Sequence, residues 1–151
     1  MSFHERQWAS RFGQMGDEAE GVFETVTDRN HVRYGLNRPP LAVQNLPLRI
    51  RYTPDYLTSH GFVEVKGCGK DGKLKIKLEN WNELHCWNNE FPVDLFIWDS
   101  YRKRHTTIPL VDLSKIVNDP EAGVQSDHFH DGKLYLAIPV DSIDTWTDVA
   151  P

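Results

Sequence analysis

No apolar run in the chain approaches the roughly 20 residues that a membrane-crossing helix requires, so no membrane partner is expected. Cysteine is scarce. The two present, Cys68 and Cys86, have no companions at zinc-ribbon spacing, and they read as free thiols of a cytoplasmic protein. The start, MSFHERQW, lacks the apolar segment of a signal peptide. No G-x-x-x-x-G-K-S/T phosphate loop occurs, and Gly67-Cys68-Gly69-Lys70 has the wrong spacing for one. The serines sit in no nucleophile-elbow pattern. Internal repeats, low-complexity tracts and linkers are missing too. Net positive charge is also lacking: the formal value is −5, which taken alone speaks against a nucleic-acid partner.

What is present suits one folded domain. Hydrophobic residues make up 39% of 151 residues and there are five tryptophans, enough for a core and too apolar for disorder. The charge is also unevenly spread. From Arg29 to Lys77 ten basic residues face three acids, leaving +7, whereas after His105 two lysines face eight acids, leaving −6. A basic flank and a distant acidic tail suit a protein that meets phosphate on one side, although simple solvated faces would give the same count.

Apolar residues at Phe3, Trp8, Ala9 and Phe12 have roughly helical spacing. Gly13 to Gly16 reads as a break and Asp17 as an N-cap. Ala19, Val22, Phe23 and Val26 then line one face of a helix ending near Asp28 to Asn30. His31 to Leu36 alternates like a strand, Asn37 to Gln44 reads as a Pro-containing loop, and Leu46 to Tyr52 (LPLRIRY) alternates again. Leu74 to Asn88 is ambiguous: LKIKL alternates, but helical spacing favours a helix from Lys73 or Leu78 onward, with Trp81 and Trp87 in the core. Val93 to Trp98 and His105 to Pro109 read as strands, Leu110 to Val117 as a short helix, Asn118 to Gly132 as polar turns and Leu134 to Ile138 as a last strand. A helical turn is expected near Val140 to Ile143.

The informative stretch is Tyr52 to Gly67, YTPDYLTSHGFVEVKG. Its second half reads as a strand after a Ser59-His60-Gly61 turn. Alternation puts Phe62, Glu64 and Lys66 on one face and Val63 and Val65 on the other. Asp55 returns beside them if Tyr52 to Glu64 forms a hairpin. Two converging carboxylates repel unless a cation lies between them. Mg²⁺ takes oxygen ligands, often one or two carboxylates plus substrate phosphate. A lysine beside it can orient an attacking water and stabilise charge on phosphate.

Pro54-Asp55 followed by Glu64-Val65-Lys66 resembles the active-site motif of the PD-(D/E)xK nuclease superfamily. The fuller string, Tyr-Thr-Pro-Asp-aromatic-Leu, a short turn, then Phe-Val-Glu-x-Lys-Gly, looks most like the phage endonuclease I type of Holliday junction resolvase. The resemblance covers Gly16 to Trp98. It implies a restriction-endonuclease-like αβββαβ core at about 16–110 with a mixed sheet flanked by helices, and an accessory segment at about 111–151. It implies Mg²⁺, with Mn²⁺ as substitute, held by Asp55, Glu64 and the carbonyl of Val65. Lys66 would act on the scissile phosphate. Gly16, Ala19, Glu20 and Phe23 match a helical pattern that carries a further catalytic acid onto Glu20, with Glu18 the alternative. The partner would be branched DNA, bound by a homodimer in the cytoplasm, that of the host if the chain is phage-encoded. Lys70, Lys73, Lys75, Lys77, Arg49 and Arg51 are the expected DNA contacts, with Arg102 to Arg104 a second possible one. The other readings are a duplex nuclease of transposition, repair or restriction, a non-catalytic DNA-binding module, and a structural protein with a surface Glu64–Lys66 hairpin.

Two further constellations carry less. His128-x-His130 offers only two ligands in a polar loop. His85 and Cys86, adjacent on a helix, point about 100° apart and do not face each other.

Overall fold

The computed structural model describes residues 16–35 and 45–149. The expected helix at Phe3 to Phe12, the loop at Asn37 to Gln44 and Arg38 lie outside them. Helix α1 covers residues 16–26, and Asp17 lies inside it rather than capping it. Ala19 and Phe23, one turn apart, are its buried residues, which is the face the apolar spacing predicts.

The chain then forms a meander. Strand β1 (His31–Arg33) pairs antiparallel with β2 (Tyr56–Thr58), and β2 with β3 (Gly61–Cys68). β1 is shorter than the sequence suggests because the chain turns toward Asp55: the Tyr34 and Gly35 amides both donate to its carbonyl, at 2.9 and 3.1 Å. A Cβ on Gly35 would lie 2.8 Å from the Pro54 carbonyl oxygen, so glycine permits this approach. At the β2–β3 turn Gly61 has φ of +138° and its missing Cβ leaves room for the Pro92 carbonyl.

Strand β4 (Lys73–Lys77) leads into helix α3 (Leu78–Asn88), so the ambiguous LKIKL segment is strand up to the helix and the helix begins at the later of the two expected positions. Strand β5 (Val93–Asp99) runs parallel to β3, with Glu64 opposite Leu95 and Lys66 opposite Ile97. Strand β6 (Arg104–Pro109), helix α4 (Leu110–Val117), β7 (Gln125–His128), β8 (Leu134–Pro139) and β9 (Thr147–Asp148) complete the order, with a 3-10 turn at Val140–Ser142. One sheet has the order β1-β2-β3-β5-β6-β9 and a second β4-β8-β7. This is a mixed α/β fold with a mixed central sheet and flanking helices.

The LPLRIRY segment is not a strand. Leu48–Arg51 forms a short helix, α2, entered from Pro47 at φ −54°. Proline lacks a ladder donor and its fixed φ suits a helix start. The alternation spans too few residues to separate a period of 2 from one of 3.6, and Leu48 and Ile50 remain exposed. Polar contacts dock α2 on α3: Trp87 Nε1 donates to the Arg49 carbonyl at 3.1 Å and the Tyr52 hydroxyl to Glu79 at 3.1 Å.

Two apolar clusters lie on opposite faces of the main sheet. The larger joins Phe62, Leu95 and Ile97 to Trp81 and Leu84 of α3, Leu110 and Leu113 of α4, and Leu74, Ile76 and Ile138 of the second sheet. The two sheets therefore share a core. The smaller joins Val63, Val65, Phe96 and Trp98 to Ala19 and Phe23 of α1 and to Tyr56. Within it the Phe23 ring lies 4.6 Å from Tyr56 and 5.2 Å from Phe96, contacts worth about 0.5–1.5 kcal/mol each beyond burial.

Arg102 and Arg104 of the basic triplet are held by a buried acid, while the exposed Lys103 lies with its Nζ 5.8 Å from the Trp98 ring. Asp99 is fully buried; it accepts from the Arg102 amide at 3.1 Å and from the guanidinium groups of Arg102 and Arg104 at 3.3 and 3.1 Å. Asp99→Ala leaves these donors without their acceptor and is expected to lower stability by about 3 kcal/mol. Removal of Lys115, paired with Asp112 on the surface, should change it by less than about 0.5 kcal/mol. Urea unfolding midpoints check both, and equal midpoints would refute the assignment of Asp99 as the anchor.

Candidate functional site

Strand β3 is paired with β5 from Phe62 to Cys68 and with β2 only from Gly61 to Val63, and it is packed on both faces, so its charged residues have restricted exits. Val63 and Val65 enter the smaller cluster, while Phe62 enters the larger on the side that also bears Glu64 and Lys66. Glu64 is 6% exposed, which rules out a surface salt bridge as the explanation of the Glu64–Lys66 pair. Lys66 Nζ lies 4.0 Å from Glu64 Oε1.

Asp55 stands just before β2, where that strand has not yet begun to pair with β3. Its Oδ2 accepts the Val65 amide at 2.8 Å. A strand residue points its N–H and C=O to the same edge. The Val65 carbonyl therefore faces the edge on which Asp55 sits. The hairpin thus brings Asp55, Glu64, Val65 and Lys66 together. Burial pushes the Glu64 carboxyl well above its usual range; repulsion from Asp55 adds to this, Lys66 opposes it and Glu20 contributes a smaller push.

The three glutamates of α1 have different nearest partners, although Arg33 also stands 3.9 Å from Glu24. Glu18 accepts the Trp98 indole N–H at 3.0 Å, and Glu24 accepts the Tyr56 hydroxyl at 2.6 Å. Glu20 is held by Arg33 of β1 at 2.9 Å. The charge of Glu20 is felt at Glu64, as the smallest of the pushes named above. It approaches from the α1 side of the sheet, and Glu64 stands on the other.

In the sequence Arg33 is only one basic residue among ten. In the structure its guanidinium lies 4.9 Å from the Tyr56 ring centroid and bonds Glu20, which raises its already high pKa. It is the cation that occupies the helix acid. The signal available was its place two residues after His31 on an alternating strand, with no residue pattern marking its partner.

The remaining expected contacts separate into two groups. Arg49 pairs with Glu83 of α3, and Arg51 Nη2 donates to the Leu46 carbonyl at 3.1 Å. Lys73, Lys75 and Lys77 project from the outer face of β4, while Leu74 and Ile76 point into the core. Lys70 lies in the loop before them and lines a groove with Gly67 and Phe129.

Among the described residues, no group of three or more His, Cys, Asp or Glu side chains is placed to hold a metal ion. The donor set at β3 is two carboxylates and one backbone oxygen. That all-oxygen set lacks the imidazole and thiolate donors on which zinc sites are built. It fits Mg²⁺, which keeps several waters and adds substrate phosphate to one or two carboxylates. A cation there would also relieve the Asp55–Glu64 repulsion.

None of the described helices is long and apolar enough to cross a membrane. No family model matches the chain, and neither does any curated protein or solved structure.

The raised Glu64 carboxyl has a thermodynamic consequence. In the unfolded chain it titrates near 4.5, and in the folded protein higher. Between those values the folded state holds more protons, so without a divalent cation its stability falls as pH rises through the window. Glu64→Gln removes this contribution. In EDTA the variant's stability advantage over wild type should therefore grow from pH 4.5 upward. Denaturation curves across pH test this, and a pH-independent difference would show that Glu64 ionises normally.

Proposed function

We propose that this chain is a Mg²⁺-dependent DNA endonuclease with a restriction-endonuclease-like core, acting on branched DNA of the Holliday junction kind as a homodimer. One observation carries the reading. A short hairpin clamps Asp55 to the Val65 amide beside the buried Glu64, with the Lys66 ammonium 4.0 Å from that carboxylate. Burying the Glu64 carboxyl beside a second, half-buried acid is costly, and a structural hairpin has no use for it. The order within the main sheet supports the same reading: with the short α2 and with β4 of the second sheet as insertions, α1, the β1-β2-β3 meander, α3 and then β5 parallel to β3 run as the αβββαβ sequence that the Pro54-Asp55 and Glu64-x-Lys66 resemblance implies.

Asp55, Glu64 and the Val65 carbonyl would hold the ion. When bound it would lower the pKa of coordinated water and neutralise phosphate oxygens. The chain's own residues do the rest. Lys66, on the same face as Glu64, supplies positive charge where the phosphate accumulates negative charge, and orients the attacking water. Arg33 holds Glu20 in reserve. An arriving phosphate competes for that guanidinium and frees Glu20 to support the site. The lysines of β4 neutralise the flanking backbone. A symmetric dimer would present two such sites to the two strands to be cut.

Wild-type protein with Mg²⁺ should cleave a four-way junction in preference to a flap or linear duplex, and EDTA should stop it. Cleavage of duplex at an equal rate would move the reading to a repair, transposition or restriction nuclease. Binding with no cleavage under any divalent cation would leave a non-catalytic DNA-binding module.

Asp55→Asn and Glu64→Gln should abolish cleavage while DNA binding holds or tightens, since each removes both a ligand and a repulsion against phosphate. Lys66→Ala should lose several orders of magnitude in cleavage with Mg²⁺ affinity intact. Glu20→Gln should slow cleavage more than Glu18→Gln or Glu24→Gln, whose acids are committed to Trp98 and Tyr56. Single-turnover rates measure all of these. Wild-type rates in Asp55→Asn or Glu64→Gln would remove the metal-site assignment.

A further inference from the structure

The second sheet has an outer face that the site does not account for. Residues directly opposite each other in a ladder share a face. Lys73, Lys75 and Lys77 of β4 therefore stand with Pro139, Ala137 and Tyr135 of β8, and with Gln125 and Asp127 of β7. Just past β7, Phe129 folds back onto this face, its ring centroid 4.3 Å from that of Tyr135. Lys75 Nζ lies 5.8 Å from the Tyr135 ring and Lys77 Nζ 5.9 Å from Phe129. Neither aromatic ring belongs to the buried clusters. A groove of about 310 Å³ runs from Gly67 and Lys70, at the end of the strand that bears Lys66, to Phe129.

Cross-strand packing explains a tyrosine against a phenylalanine. It does not explain why three lysines of one strand and Lys70 of the adjoining groove gather there, with Asp71, paired to Lys75, and Asp127 as the neighbouring acids. Like charges lined along a sheet face repel, so this is an arrangement that a polyanion would relieve. Two partly exposed rings beside a row of ammonium groups are the two components of a single-strand binding surface. Rings stack bases without reading them, and lysines follow the backbone. A duplex, whose bases are already stacked on each other, gains nothing from the rings.

We propose that the outer face of β4-β8-β7 is a binding surface for single-stranded DNA, with Phe129 and Tyr135 stacking one or two unpaired bases and Lys70, Lys73, Lys75 and Lys77 tracking the backbone. The proposal rests on the nuclease reading for its choice of DNA, and it gives the accessory C-terminal segment a role. The groove begins one residue after Lys66, so a strand seated there emerges beside the site. Unpaired nucleotides at the branch point are the part of a branched substrate that the surface fits.

The test uses the full chain in EDTA, with fluorescence anisotropy on a labelled oligothymidylate and on a linear duplex of the same length. Tyr135→Leu and Phe129→Leu keep an apolar group and remove the stacking face, and circular dichroism confirms that each is folded. Each should weaken oligothymidylate binding about 5- to 140-fold, the range that loss of one stacked base gives, and leave duplex binding within about twofold. Phe129→Ser, at the hairpin tip, gives the same comparison should Tyr135→Leu not fold. Lys75→Gln should flatten the salt dependence of single-strand binding by about one phosphate contact. Unchanged single-strand affinity in the ring variants, an equal loss on duplex, or no single-strand binding by wild type would each overturn the proposal. Junction cleavage by wild type with Mg²⁺ is scored separately. Cleavage with ring variants that bind as wild type removes the surface and keeps the nuclease. Ring-dependent single-strand binding without cleavage does the reverse.

Discussion

One constraint organises the molecule: strand β3 is paired with β5 along its length and packed on both faces, and yet it carries Glu64 and Lys66 in its middle. An isolated carboxylate there would be prohibitively costly and would take up a proton. What lessens the cost is local. The β2 ladder reaches only as far as Tyr56 opposite Val63, and the vacant position beside Val65 is taken by the Asp55 side chain. That bond satisfies a strand amide and at the same time brings a second carboxylate to Glu64. The geometry that completes the sheet is therefore the geometry that makes the site electrostatically incomplete, and this incompleteness is what a divalent cation would remove.

The distribution of charge in space differs from its distribution along the chain. The +7 stretch is partly neutralised by acids from outside it: Arg29 pairs with Asp94, Arg33 with Glu20 and Arg49 with Glu83. Three arginines are thereby turned to fastening β1 to α1, α2 to α3, and the turn before β1 to β5. The lysines of β4 differ, since their strand faces outward on that side and the acid paired there is Asp71, half-exposed beside Lys75. Arginine, with its planar fork, holds the fold, while the lysines keep their charge toward solvent. A count along the chain cannot separate these uses, because the paired acids lie on elements distant in sequence.

The same distinction, between local and non-local information, sets how much could be read beforehand. The β3 and β5 strands, helix α4 and the buried face of α1 follow directly from periodicity, because burial on defined faces is a local property of the pattern. The nearness of Asp55 to Glu64 was legible from the turn at Ser59 to Gly61. The α2 segment was not, since its alternation is overruled by Pro47 and by contacts to Glu79, Glu83 and Trp87 some 30 residues away. LKIKL needed to know that β8 lies alongside it. Arg33 needed Glu20, and Phe129 needed Tyr135 across a hairpin whose polar composition reads only as turns. In each case the deciding partner lies on another element.

The shared core ties the two sheets into one mechanical unit. Leu74 and Ile76 of β4 and Ile138 of β8 pack in the same cluster as Phe62, Leu95 and Ile97, and the chain passes from β3 to β4 through four residues. The Ser100 amide and hydroxyl both donate to the Cys68 carbonyl at 3.0 Å, and the Val140 amide donates to the Gly72 carbonyl at 2.9 Å, which pins the connecting loop from both sides. The lysine-bearing face therefore cannot shift far without disturbing the strand that holds Glu64 and Lys66, since packed interiors transmit displacement rather than absorb it. A strand of DNA drawn along β4 would thus be located relative to Lys66 by the core itself. Positioning of this kind is what converts binding of a flexible substrate into a defined point of attack.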